Sequence, residues 1–158
     1  MAVSATHTGW HYDPDNSRLN FYYRGTRVGH INASQMSVAT GDLALAAGTL
    51  DIQDGGTVTQ ATNKTTGVTL STNSGQITMD DASLSDGAEA TFAVTNTEVA
   101  ATDVVVAVHG SGGTAGAYVV AANTMAAGSF NVTVGNVSGG SLGEAIVINF
   151  VVIKGASS

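Results

Sequence analysis

Ala90-Thr91-Phe92-Ala93-Val94-Thr95 and Phe130-Asn131-Val132-Thr133-Val134 place apolar side chains at every second position, with Thr, Ala or Asn between them. A period of two marks a strand with one face in a core and the other in solvent. The same pattern extends outward from these runs, from Gly55 to Lys154, as short Val/Ile/Thr/Ala stretches broken by Gly, Asn and Ser. Turns form readily at such breaks, because Gly supplies positive φ and Asn or Ser bonds to its own backbone. Strands are therefore predicted at Thr57–Ala61, Gly67–Leu70, Gln76–Met79, Ala90–Thr95, Asp103–His109, Ala117–Ala122, Phe130–Val134 and Ala145–Lys154. Eight strands with short polar turns and no convincing amphipathic helix predict an all-β, antiparallel, jelly-roll-like sandwich. Val104–Val108 is apolar at every position, which predicts a strand that is central or covered on both faces.

Composition narrows the function. Only 11% of the residues are charged, against the usual quarter. Few groups in the ladder can serve as acid, base or ligand, so it reads as a surface to be packed or presented and argues against an enzyme. Twelve acids against five bases give a net charge of −7. That opposes nucleic-acid binding, which rests on Lys and Arg neutralising phosphates, and favours a basic or neutral partner surface. The absence of cysteine excludes disulfides and thiolate zinc sites and fits synthesis in a reducing cytosol. No secretory signal or membrane span is expected. The apolar run Ala145–Ile153 is interrupted by Asn149 and is too short to cross a bilayer.

The composition changes near residue 54, which predicts an N-terminal arm (1–54) and a sandwich domain (55–158). The arm holds three of the four Tyr, the single Trp, three of the five bases and three of the four His. Gly9–Asp13 and Arg18–Arg24 flank Pro14-Asp15-Asn16-Ser17, a turn sequence, and predict a β-hairpin. Gly25-Thr26 then leads into a further extended stretch, Arg27–Asn32. Gly41, Gly48 and Gly55 open three short units at seven-residue steps, as stacked turns or solenoid rungs would. A short helix over Leu43–Ala47 is the competing reading. Trp10, Tyr12, Arg18, Phe21, Tyr22, Tyr23, Arg24 and Arg27 are the residue types that dominate interfaces, and they form the candidate partner surface. The plainer reading is a small core for the hairpin, which is marginal alone and has to pack on something.

Other strings fail on context. His109-Gly110-Ser111-Gly112-Gly113 and Gly139-Gly140-Ser141-Leu142-Gly143 imitate the oxyanion loop and nucleophile elbow of hydrolases. A strand, Glu144-Ala145-Ile146-Val147-Ile148, follows Ser141 where a helix is required, and no histidine lies downstream. His7, His11, Asp13 and Asp15 resemble a metal cluster, but the spacing lies in a strand and turn and lacks the Gly and distal Glu of a calcium loop. Ser111–Gly116 has no Lys-Ser/Thr ending for a phosphate cradle. Asn32, Asn63, Asn131 and Asn136 begin Asn-X-Ser/Thr strings of the kind an Asn/Thr-rich chain contains by chance. No catalytic, cofactor-binding or metal-binding residue is predicted.

Gly56-Thr57-Val58-Thr59-Gln60-Ala61-Thr62-Asn63-Lys64-Thr65-Thr66-Gly67-Val68-Thr69-Leu70, followed by Gly75-Gln76-Ile77-Thr78-Met79, resembles a module of virion structural proteins of tailed bacteriophages. Ala101-Thr102-Asp103-Val104-Val105-Val106 and Ala145–Lys154 extend the likeness across about residues 55–154. The resemblance implies a non-enzymatic, β-rich capsid accessory protein, oligomeric, with no catalytic residues to carry over. The expectation is a head decoration (cement) protein. It would bind the major capsid protein on the outer surface of the head, as a trimer, with no nucleic acid, membrane or cofactor. A tail-fibre, spike or head-fibre component that binds the host surface is the alternative, and a cell-wall hydrolase dependent on Ser141 is a third class.

Overall fold

The period-two runs form strands, and no described residue is helical. The computed structural model describes residues 8–39, 45, 49–52 and 55–155. Packing divides the chain into two compact units, residues 1–50 and 51–158.

The first unit is a four-stranded antiparallel meander rather than a hairpin alone. β1 (Gly9–Asp13), β2 (Arg18–Tyr23), β3 (Thr26–Ile31) and β4 (Met36–Val38) lie side by side in chain order. Pro14–Ser17 closes the first hairpin, with Ser17 N–H donating to Pro14 O and Asn16 N–H to Asp13 Oδ1. Arg24 and Gly25, at φ 48° and 76°, form the two-residue turn between β2 and β3. That left-handed pair matches the twist of the flanking strands, which explains the glycine. At Gly29 a Cβ would overlap the Ser37 carbonyl oxygen, so only glycine lets β3 and β4 approach this closely. The expected Leu43–Ala47 helix and the Gly41 and Gly48 rungs fall largely on residues outside the described set, while Gly55 opens β5.

All eight strands predicted beyond residue 55 are present: β5 (Gly55–Thr59), β6 (Val68–Thr69), β7 (Ser74–Thr78), β8 (Glu89–Thr95), β9 (Val104–Ser111), β10 (Tyr118–Ala126), β11 (Ser129–Asn136) and β12 (Val147–Ile153). They form two four-stranded sheets, β10-β11-β8-β6 and β5-β7-β12-β9. Ala90, Phe92 and Val94 of β8 and Phe130, Val132 and Val134 of β11 are buried together with Ile77, Val105, Ala107, Ile148, Phe150 and Val152 of the other sheet. Phe130 and Phe150 meet with ring centroids 5.5 Å apart. Each of the Val, Ile and Phe side chains contributes about 1.5–3 kcal/mol by leaving water, and the alanines less.

Two expectations are corrected. The sandwich is not wholly antiparallel, because β5 pairs with β7, and β6 with β8, in parallel. From β5 to β8 the chain steps to the opposite sheet at each strand, so strands two apart in sequence share a sheet, and in both sheets they run in the same direction. Nor is Val104–Val108 a central strand. β9 is the edge of its sheet, with Val105 and Ala107 inward and Val104, Val106 and Val108 outward, about half exposed.

Buried polar groups anchor the loops at the ends of the sandwich. Lys64 is only 4% exposed, and its Nζ donates to the carbonyl oxygens of Asp80 and Glu144. Burial lowers its pKa against the pull of Asp80, Asp81 and Glu144. Gln60 donates to Lys64 O and Thr66 O and accepts from the Asp80 N–H, fixing the loop that carries Lys64. Asn136, fully buried, donates to Leu84 O and Gly140 O.

Candidate functional site

Alternation along β1 and β2 sorts the eight predicted interface residues onto different sides. Trp10, Tyr12, Phe21 and Tyr23 share one face of the first sheet, and Trp10 packs edge-on to Phe21 with centroids 4.6 Å apart. Register adds Leu19 and Ile31, which pair across β2 and β3, and Met36 and Val38, which pair with Ile31 and Gly29. Among the described residues, β1–β4 place no charged side chain on this face, and the one charge beside it is the Arg24 guanidinium from the β2–β3 turn, over the Tyr23 ring. Trp10 is 66% exposed, Tyr12 61%, Tyr23 57% and Met36 61%. Together with Ile31 and Val38 they present roughly 600 Å² of mainly apolar surface, at the upper end of what monomers leave exposed. Phe21, Val28, Gly29, Met36, Ser37 and Val38 line a shallow apolar depression of about 300 Å³ in it.

Arg18 and Tyr22 lie on the opposite face, and Arg27 stands across from Tyr22. Arg18 pairs with Asp13 at 3.3 Å, and His11 meets Tyr22 edge-on. Asn16 and Arg18 hold the Asp13 carboxyl below its ordinary pKa, Asn16 having the larger effect. Arg24 sits in the turn, its guanidinium 5.5 Å from the centre of the Tyr23 ring and its N–H donating to Thr8 Oγ1. The basic part of the predicted cluster thus supports the hairpin from behind and at its tip. Met36 and Val38 were missed because β4 is three residues long and gives almost no periodic signal, and Leu19 and Ile31 because they are neither aromatic nor basic.

The hydrolase-like strings do not converge. Ser141 Oγ lies 2.7 Å from Ser83 Oγ and also donates to Leu84 O, so the hydroxyl is committed to a loop. His109 Nε2 is engaged with the carbonyl oxygens of Ser111 and Gly112, and its ring packs on Tyr118. Glu144 accepts from Thr114 N–H, Thr114 Oγ1 and the Tyr118 hydroxyl, which hold its pKa below the ordinary value. Burial first, and then Glu144, raises the Tyr118 phenol to about 12.

Of the candidate metal residues, His7 lies outside the described set. Among the described residues no three His, Cys, Asp or Glu side chains form a group that could hold a metal ion. Three Asn-X-Ser/Thr strings build turns: Asn32 Oδ1 accepts from Ser34 and Gln35 N–H, Asn63 Oδ1 from Thr65 N–H, and Asn136 Oδ1 from Ser138 N–H. What the described residues of the first sheet present to solvent is a mainly aromatic face. No family model, curated protein or solved structure matches the chain.

Proposed function

We propose that the chain is a non-enzymatic decoration (cement) protein on the outside of a tailed-phage head, binding the major capsid protein and stabilising contacts between capsid subunits. The observation that carries this reading is the uncharged aromatic face of β1–β4. A small sheet exposing Trp10, Tyr12, Tyr23 and Met36 gains stability by being covered. A partner that covers it meets few charges, the Arg24 guanidinium over the Tyr23 ring being the nearest, and aromatic anchors of this kind dominate interface energies. The net charge of −7 favours a basic or neutral docking surface. Each contact can be weak, because many copies held on one lattice act together. The sandwich is then the displayed body, and the resemblance of residues 55–154 to phage virion modules supports the same reading.

The experiment compares particles assembled with and without the protein, imaged and then challenged with heat or chelator. Density on the shell and better survival of decorated particles are expected. Density on the tail favours the fibre reading, and equal survival with a bare shell removes the proposal.

A further inference from the structure

We infer that two copies of the chain pair through the aromatic faces of their β1–β4 sheets, packed face to face about a two-fold axis along β2, with Trp10 of each copy seated in the Gly29 hollow of the other. The face has both the projection and the recess that such a pair needs. Trp10, Phe21, Gly29 and Val38 stand in one row across the four strands. At one end of the row the Trp10 indole is 66% exposed. Two strands away Gly29 has no side chain, and the floor there cannot be filled, because a Cβ would overlap the Ser37 carbonyl oxygen. Phe21, Met36 and Val38 wall the resulting depression of about 300 Å³.

The register fixes the axis. Neighbouring strands lie about 4.8 Å apart, so Trp10 and Gly29 flank β2 at equal distances. Turning a second copy over about a line along β2 keeps each row at its own height and exchanges β1 with β3. Trp10 then lies over Gly29 of the other copy, and Phe21 over its own counterpart. In the next row Tyr12, Leu19 and Ile31 pair across the same three strands, so Tyr12 lies over Ile31 of the other copy. A two-fold contact of this kind is self-complementary, each projection meeting the other copy's recess.

A second copy is the occupant whose shape matches the face. The exposed side chains offer about 600 Å² on each copy, so a pair buries about 1,200 Å², the lower limit for specific interfaces. Each chain carries a net charge of −7, so two copies approach most easily through a charge-poor surface, which β1–β4 supply. The Arg24 guanidinium, 5.5 Å from the centre of its own Tyr23 ring, lies at the turn and nears the opposite Arg24 only at the end of the axis. A small area with that like-charge cost gives a dissociation constant of roughly 10–100 μM. At nanomolar concentration the chain is therefore single and its face free. The inference rests on the face and not on the capsid reading, although attachment to a capsid through the same face has to open the pair.

The test is sedimentation of the full chain from nanomolar to high micromolar concentration, without particles, read alongside the emission of Trp10, the only tryptophan. Wild type is expected to pass from monomer to dimer, with a blue shift of Trp10 along the same curve. Tyr12→Lys and Ile31→Glu, at positions 61% and 41% exposed, are each expected to pair about 100-fold more weakly, because each buries an unpaired charge in the seam. An equimolar mixture of the two is expected to recover the dimer. The introduced charges then meet as opposites at one contact, and the other contact is the native Tyr12 on Ile31. Recovery also shows that both variants fold. A wild type that stays monomeric, the trimer expected from the sequence, a dimer that leaves Trp10 emission unmoved, variants that pair as well as wild type, or a mixture that stays apart would each overturn the inference. None of these outcomes touches the capsid reading, which is tested on particles.

Discussion

Trp10 and Phe21 meet edge-to-face across the β1–β2 pair, yet Phe21 is half-buried while Trp10 remains two-thirds exposed. One ring is held by the sheet and positions the other for a partner. Trp10→Ala is therefore expected to cost the free chain only about 1 kcal/mol, the value of an aromatic pair. It is expected to weaken attachment to particles by ten-fold or more, as for an interface anchor. Phe21→Ala is expected to destabilise the first unit by about 2–3 kcal/mol. Because Trp10 is the only tryptophan, its fluorescence reads the site directly. A blue shift on adding undecorated particles is expected, and unchanged emission at saturating particle concentration would count against the docking face.

Asp103 accepts from Lys154 Nζ and from the N–H groups of Ala100 and Gly155, and these bonds, Lys154 first, hold its pKa down at about 2. The folded value lies below the unfolded one of about 4, so the unfolded chain takes up the proton first. The stabilisation is fully present above about pH 4 and disappears as pH falls toward 2. Urea midpoints are expected to drop between pH 5 and pH 2.5, and Asp103→Asn to flatten that drop. Parallel pH profiles for the two proteins would contradict the assignment.

Lys64 is a buried cation whose stabilising partners are carbonyl oxygens of two separate segments. Lys64→Met keeps the stem volume but leaves the Asp80 and Glu144 carbonyls without their donor. A loss of about 2–4 kcal/mol is expected from two orphaned acceptors. Equilibrium denaturation measures it, and hydrogen exchange should rise first in residues 80–84 and 144–146.

Ser141→Ala removes the hydrogen bonds to Ser83 Oγ and Leu84 O and leaves the core untouched. A loss of about 1 kcal/mol is expected. Particle yield and stability should match wild type. A lysis or polymer-cleavage defect in this variant would restore the hydrolase class.

Much of the sandwich was legible because one-sided burial forces alternation: Ala90, Phe92 and Val94 point inward as their spacing dictates. Sheet order was not legible. Val104–Val108 is continuously apolar, and the sequence cannot distinguish a strand covered on both faces from an edge whose outer valines remain exposed. The parallel pairs were hidden for a related reason, since a strand's direction depends on which sheet the preceding turn leads to. In the first unit, grouping Trp10, Arg18, Tyr22 and Arg24 by nearness in sequence joined residues that the pleat sends to opposite sides. Lys64, a single cation among Asn and Thr, gave no sign that it would be buried.

The stepping of β5, β6, β7 and β8 from sheet to sheet has a kinetic consequence. Neither layer can be completed from neighbouring segments, so both have to close together, late and slowly, with loop entropy lost before most pairing is gained. The same interleaving works in reverse. No outer layer can peel away while the other persists, so unravelling requires breaking both at once. A domain built this way is expected to form sluggishly and, once formed, to outlast its modest size.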